Sequence, residues 1–191
     1  REQRRGGVGK AGASVKEEDL IQNLYVLSSH SQLLCFTTKG KVFWLKVYEI
    51  PVATRTSKGR PLVNMLKLDG DETVTQILPV DEFSEEKYIF MATRNGIVKK
   101  TNLNLFHKKY NSGIKAIRLD DDDKLVGTVI TNGDNDILLS SSSGKLIRFH
   151  ESKVRPHGSN SQRRQRHFIK RRHEGYLFND WRCKQNNSLF I

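Results

Sequence analysis

The sequence contains no run of 18 apolar residues, so no segment of it can be a membrane-spanning helix. The polar, glycine-rich start has neither a signal-peptide apolar core nor an initiating Met, and the text reads as an internal piece of a longer protein. There are only two cysteines, Cys35 and Cys183, too few for a disulfide scaffold. Cys35 lies in an apolar run and reads as a buried free thiol, which fits a reducing, cytoplasmic setting. Long segments of 3.6-residue period are missing too, which argues against a helical fold. So are catalytic groupings: none of the five tyrosines has a nucleophile context, and no His/Asp/Ser set recurs. His30, His107 and His150 fall near turns or strand ends and read as surface residues. Each Gly-Lys pair, at 9–10, 40–41 and 144–145, lacks the following Ser or Thr of a phosphate-binding P-loop.

Acidic residues are in the minority. Thirty-three Lys and Arg against 21 Asp and Glu give a net charge of +12. Such an excess favours an anionic partner, a nucleic acid or a membrane surface. Residues 157–191 carry eight basic and two acidic residues, half of the net charge in the last 35 positions.

Between residues 20 and 154 the pattern is that of β structure. Apolar runs are short, rich in Val, Ile, Leu and Phe, and divided by Gly, Asn and Asp. Three stretches repeat: LLCFTTKGKVFWLKVYEI (33–50), YIFMATRNGIVKKTNLNLF (88–106) and ILLSSSSGKLIRFHESKV (137–154). Each reads as strand, tight turn on Gly40, Gly96 or Gly144, and return strand. The Asn-Gly of RNGI predicts a type I′ turn. A further apolar element precedes each hairpin, at 19–32, 73–86 and 124–136. A third, at 58–72 and 111–124, predicts a strand ending at Leu68 or Leu119 followed by an acidic turn. One unit is thus about four strands in roughly 50 residues, the size of a propeller blade. The fold expected is all-β, an incomplete propeller-like array of about three four-stranded blades spanning 17–156. Asp120–Asp123 lacks the spacing of an EF-hand and matches DGDE at 69–72, so it reads as a solvated acidic turn on a face away from any anionic partner.

The opening QRRGGVGKAG contains Gly7-x-Gly9-x-x-Gly12. A dinucleotide loop must follow an apolar strand and open a helix, and REQRR is no strand. Arg4 and Arg5 can grip phosphate oxygens bidentately, and Gly6 and Gly7 let the backbone approach closely.

QRRGGVG resembles the heptapeptide box that marks the C-terminal domain of the A subunit of bacterial DNA gyrase. The resemblance continues through EEDLIQNLYVLSSHSQLLCFTTKGKVFWLKVYEIP and SKGRPLVNMLKLDGDE, over residues 1–156. It makes 1–16 a linker carrying the box. The sixth box position is usually Lys in the family and is Val8 here, so box roles transfer to Gln3, Arg4, Arg5, Gly6, Gly7 and Gly9 only. The family relation implies a six-bladed β-pinwheel that wraps double-stranded DNA around its basic rim with positive handedness. The whole enzyme, two A and two B subunits, would introduce negative supercoils using ATP on its B subunits and Mg. The cleaving Tyr would lie in a preceding domain, so this piece would be no enzyme alone and need no cofactor itself. The related topoisomerase IV subunit lacks an intact box. A propeller-type protein-interaction module is the rival from another class.

DNA contacts are expected from basic residues around the repeat turns: Lys39, Lys41, Lys46, Arg94, Lys99, Lys100, Lys145 and Arg148. Arg55, Lys58 and Arg60 form a second cluster. Lys100 and Arg148 both stand four residues after their turn glycine, where the first repeat has Trp44, so they should occupy equivalent rim sites.

After VRP (154–156) the family text would continue Met-Gly-Arg-Thr-Ala, whereas this chain reads HGSNS. Codons such as CAT GGG TCG AAC AGC would encode the observed residues. Without the first C they read ATG GGT CGA ACA GC, the expected ones. One inserted base would account for the change, so 157–191 is expected to be a frameshifted, disordered basic tail.

Overall fold

The computed structural model describes residues 21–54, 57, 59–141, 144–157 and 183–184. The box residues Gln3 to Gly9, together with Arg55 and Lys58, lie outside the described residues. So does the tail apart from His157, Cys183 and Lys184.

Three antiparallel hairpins form where the repeats predict them. They are β1 (Gln32–Thr37) with β2 (Lys41–Lys46), β4 (Tyr88–Thr93) with β5 (Val98–Asn102), and β8 (Asp136–Ser140) with β9 (Leu146–His150). Gly40, Gly96 and Gly144 adopt φ of 72°, 78° and 76°. Their N–H groups donate back to Thr37, Thr93 and Ser141. Glycine is therefore the fourth residue of the turn, which is a three-residue loop closing in a left-handed residue, not the two-residue type I′ turn that Asn-Gly suggested. The hydroxyls of Thr37 and Thr93 accept from the backbone N–H just past their glycines, of Lys41 and Ile97.

The strand after each hairpin folds back onto that hairpin. β3 (Val74–Val80) pairs with β1, and β7 (Leu125–Thr131) with β4. The short strand β10 (Cys183–Lys184) pairs with β8. The elements at 73–86 and 124–136 thus complete the preceding hairpin rather than introduce the next. Residues 21–31 form no strand. The segment at 58–68 carries a 3₁₀ helix, Leu62–Asn64, in place of the expected strand. Its counterpart supplies β6 (Ile114–Lys115), which crosses to pair with β2 of the first sheet. Among the described residues the sheets are β3-β1-β2-β6, β5-β4-β7 and β10-β8-β9, one of four strands and two of three.

Strand alternation sends successive side chains to opposite faces, and the facing sides of neighbouring sheets pack together. Leu34, Phe36, Val42 and Trp44 of the first sheet pack with Ile89 and Met91 of the second. Phe90, Ala92 and Val98 of the second pack with Ile137 and Leu139 of the third. Each seam is plugged from the 3₁₀ helix after a hairpin. Phe106 enters the first seam, edge-on to Phe36 with ring centroids 6.3 Å apart, and Val154 enters the second. Phe106 is fully buried, and withdrawing its side chain would forfeit roughly 2–3 kcal/mol. The outer face of the first sheet, with Leu33, Cys35, Phe43 and Leu45, is covered by its own Leu66. Cys35 is a buried free thiol, and burial pushes its pKa up to about 12, leaving it protonated and unreactive.

Candidate nucleic-acid interface

The expected rim lysines divide by what the hairpins do with them. Lys39 at the first turn is exposed and pairs with Asp71 at 2.6 Å. Lys41, the first residue of β2, pairs with Asp69 and lies 3.7 Å from Glu72. Hydrogen bonding to Asp69 and Asp71 raises the pKa of Lys41 and Lys39 and lowers that of both carboxyls. Lys46 lies 5.0 Å from the centre of the Tyr48 ring, half-buried at the end of β2. Arg94 is half-buried, while Arg60 and Lys145 are exposed.

The acidic turns therefore sit beside the basic hairpin tips, not on a remote face. Their last residues are not solvated. Glu72 and Asp123 are 2% and 5% exposed. Glu72 accepts from the Thr37 hydroxyl, and Asp123 accepts from the Asn95 N–H at 3.0 Å. Each acid latches the turn of its own blade, which explains why the two sequences match.

Lys99 and Lys100 point inward. Lys99 donates to the Ala116 carbonyl at 2.8 Å, and burial lowers its pKa. Lys100 is only 4% exposed. Its ammonium lies 2.7 Å from the Glu151 carboxylate of the third repeat and 4.2 Å from the Tyr88 ring centre. Glu151 also accepts from the Thr131 hydroxyl at 2.7 Å and the Asn135 N–H at 2.9 Å. Burial pushes the Glu151 pKa up, but the hydrogen bonds from Lys100, Thr131 and Asn135 outweigh this and hold it below the ordinary value. The expected equivalence with Arg148 holds in register only. Lys100 faces Phe90 across its hairpin as Arg148 faces Leu138 and Trp44 faces Leu34. Trp44 donates its indole N–H to the Phe106 carbonyl at 2.7 Å, so Trp44 and Lys100 both tie one blade to the 3₁₀ helix of the next. Arg148, 65% exposed on its side chain, instead pairs with Asp136 on its own hairpin and lowers that carboxyl's pKa.

Lys115 and Arg118 lie outside the set of basic residues that the repeat turns single out. Both are exposed, and with Lys39 they line a shallow cleft of about 390 Å³ that also meets Asp120 and Asp121. The cleft joins the tip of the first hairpin to the β6 segment of the second repeat. Its sequence signal is IKAIRLD, two cations three residues apart in the crossing segment. Among the described residues no group of three His, Cys, Asp or Glu side chains could hold a metal ion.

Comparison with known proteins follows the same units. The family model described as DNA gyrase C-terminal domain, beta-propeller, matches residues 1–28, 31–81, 87–132 and 135–162. The DNA gyrase A subunit of Escherichia coli (strain K12) is 50% identical over 159 residues, covering 83% of this chain and 18% of the relative. Its Aeromonas salmonicida counterpart is 49% identical over 154 residues, covering 81% and 17%. The chain thus spans less than a fifth of the curated relatives it matches. The solved C-terminal domain of DNA topoisomerase IV superposes with a TM-score of 0.70 at 30% identity, over 78% of this chain and 46% of that one. A solved DNA gyrase A C-terminal domain superposes at 0.56 and 20% identity, over 69% and 41%, which speaks to the fold. The hairpin repeat, the plugged seams and a match over most of the sequence agree: the chain belongs to the DNA gyrase C-terminal domain, beta-propeller family.

Proposed function

We propose that this chain binds duplex DNA and wraps it, serving negative supercoiling as the C-terminal domain of the gyrase A protein. The observation that carries the reading is the family match, which begins at residue 1 and so takes in the basic box. The curated relatives near 50% identity are gyrase A subunits. In the whole enzyme the chain would work with the rest of the gyrase A protein and with the gyrase B protein, in the bacterial cytoplasm. ATP and Mg would be used there, outside this chain.

The physical case rests on phosphate contacts. Smoothly bending a site of 20–30 base pairs costs of order 1–6 kcal/mol, which many sequence-independent contacts offset. The proposed contacts are Gln3, Arg4, Arg5, Gly6, Gly7 and Gly9 of the box, then Arg55, Lys58, Arg60, Lys46, Arg94 and Lys145. Lys115 and Arg118 join them across the cleft. Lys39, Lys41 and Arg148 contribute only where a phosphate displaces their carboxylate partners. Lys99 and Lys100 act within the seams.

A gel shift with duplex DNA over a range of salt tests the reading. Six phosphate contacts give log K falling with log salt at a slope of about −5. Arg4→Ala with Arg5→Ala should flatten the slope by about 2, and Val8→Lys should tighten binding. Weak, salt-insensitive binding would favour the protein-interaction module.

A further inference from the structure

The junction of the first two repeats gathers like charges. Lys41 of β2 stands directly opposite Lys115 of β6 in the ladder. Like charges so placed weaken a strand pair, so the fold alone gives no reason for them. Lys39 at the turn and Arg118, just past Lys115, line the cleft beside them. Packing between the repeats brings the four together. The Gly40 carbonyl accepts from the Ala116 and Ile117 N–H groups at 2.9 and 3.2 Å. A Cβ on Gly40 would stand 2.7 Å from the Ile117 carbonyl, so the crossing segment lies hard against the turn. The second hairpin tip has no matching pair of lysines, since Asn95 and Ile97 occupy the places of Lys39 and Lys41.

Half of this cluster is already engaged. Lys39 bridges to Asp71 at 2.6 Å and Lys41 to Asp69, whereas Lys115 and Arg118 have no ion-pair partner among the described residues. The side chains of Asp69 and Asp71 are 69% and 89% exposed. Once released they stay hydrated, so the bridges give way at little cost. Asp120 and Asp121 border the cleft as well, so four cations face four exposed acidic residues. The closed cleft is close to neutral and offers little to a small free anion. A duplex held by contacts elsewhere on the chain is different, because it presents its phosphates here at high effective concentration.

We propose that this cleft is a gated seat for the DNA backbone, with Asp69 and Asp71 as its internal competitors. Lys115 and Arg118 meet a phosphate first, and Lys39 and Lys41 then swing across from their carboxylates. The inference rests on the DNA-binding reading and adds a regulation to it: the acidic turn of the first repeat holds affinity in check. Glu72 takes no part in the exchange, because it is buried and accepts from the Thr37 hydroxyl. The turn therefore keeps its shape while its two exposed acids let go.

Duplex binding by the full chain across a range of salt tests the gate. Asp69→Asn with Asp71→Asn should tighten binding about 2- to 30-fold, the range for releasing two exposed pairs. The same change on a Lys39→Gln, Lys41→Gln background should give no gain. Glu82→Gln with Glu86→Gln removes the same charge just past the far end of β3 and should fall well short of that gain. Lys115→Gln with Arg118→Gln should flatten the salt slope by about 2. In lysine-modification footprinting, duplex DNA should shield Lys39, Lys41 and Lys115 together, and millimolar inorganic phosphate should shield none. A gain that survives the loss of both lysines, or is matched by the Glu82 and Glu86 pair, is a net-charge effect and overturns the gate. Lysines left unshielded in a chain that binds DNA overturn the seat and leave the DNA-binding reading standing. Shielding by inorganic phosphate alone overturns the assignment to DNA, and a wild type that binds no duplex overturns both readings.

Discussion

Cutting the tie between the second and third sheets should cost far more than cutting a surface ion pair. Glu151 is 0% exposed and Lys100 is 4% exposed. The carboxylate holds Lys100 at 2.7 Å, the Thr131 hydroxyl at 2.7 Å and the N–H groups of Gly133 and Asn135 at 3.1 and 2.9 Å. Glu151→Gln keeps the volume but leaves the ammonium buried against a neutral amide. Lys100→Met leaves the carboxylate with its hydrogen bonds and no counter-charge. Removing one partner of a buried pair costs about 3–5 kcal/mol, whereas exposed pairs contribute about 0–1 kcal/mol. For a chain of this size, a loss of about 3 kcal/mol lowers Tm by about 6–12 °C. The double variant removes both charges, so it should lose less than the sum of the singles by about 2 kcal/mol or more. Urea unfolding followed by circular dichroism on the three variants measures the cycle. Singles each below about 1 kcal/mol that simply add would refute a buried, coupled tie at the seam.

The same carboxylate sets an acid limit. Its folded pKa is depressed below the ordinary Glu value of about 4.3, so its stabilisation is complete above that pH and is lost as pH falls through the folded value. Thermal melts from about pH 6 downward should show Tm dropping below about pH 4, and less steeply in Glu151→Gln. The turn glycines Gly40 and Gly144 offer a paired comparison. Both have φ near +75°, but only Gly40 is pressed by the crossing segment. Gly144→Ala should cost about 1 kcal/mol in unfolding experiments, the strain of a left-handed residue. Gly40→Ala adds a backbone collision at 2.7 Å and should cost at least twice that. Equal losses would deny the close approach.

The hairpins were legible because their signals are local: alternating apolar residues, a hydroxyl residue three before a glycine, and an apolar return. What the strands pair with was not. Nothing in TVTQILPV states that it folds back onto β1, since alternation fixes faces and leaves the partner open. The site is hidden from local pattern for a related reason. Lys100 looks like a rim charge in KKTN, and its partner Glu151 lies in the next repeat. No local pattern separates a lysine aimed at solvent from one aimed at a carboxylate in the following blade. The acidic turns were recognised as equivalent, but the burial of Glu72 and Asp123 depends on the turn packed over them. Lys115 and Arg118 escape a local reading because the segment carrying them has the pattern of an ordinary strand, and only the fold takes it across to the neighbouring blade.

Binding alone does not distinguish a wrapping domain from any basic protein, but topology does. A nicked circular duplex closed by ligase in the presence of the full chain, then stripped of protein, records the writhe the protein imposed. Positive wrapping predicts a positive shift in linking number that grows with protein added and fades at high salt. A circle that closes with unchanged linking number while the DNA is fully bound would contradict the wrapping role.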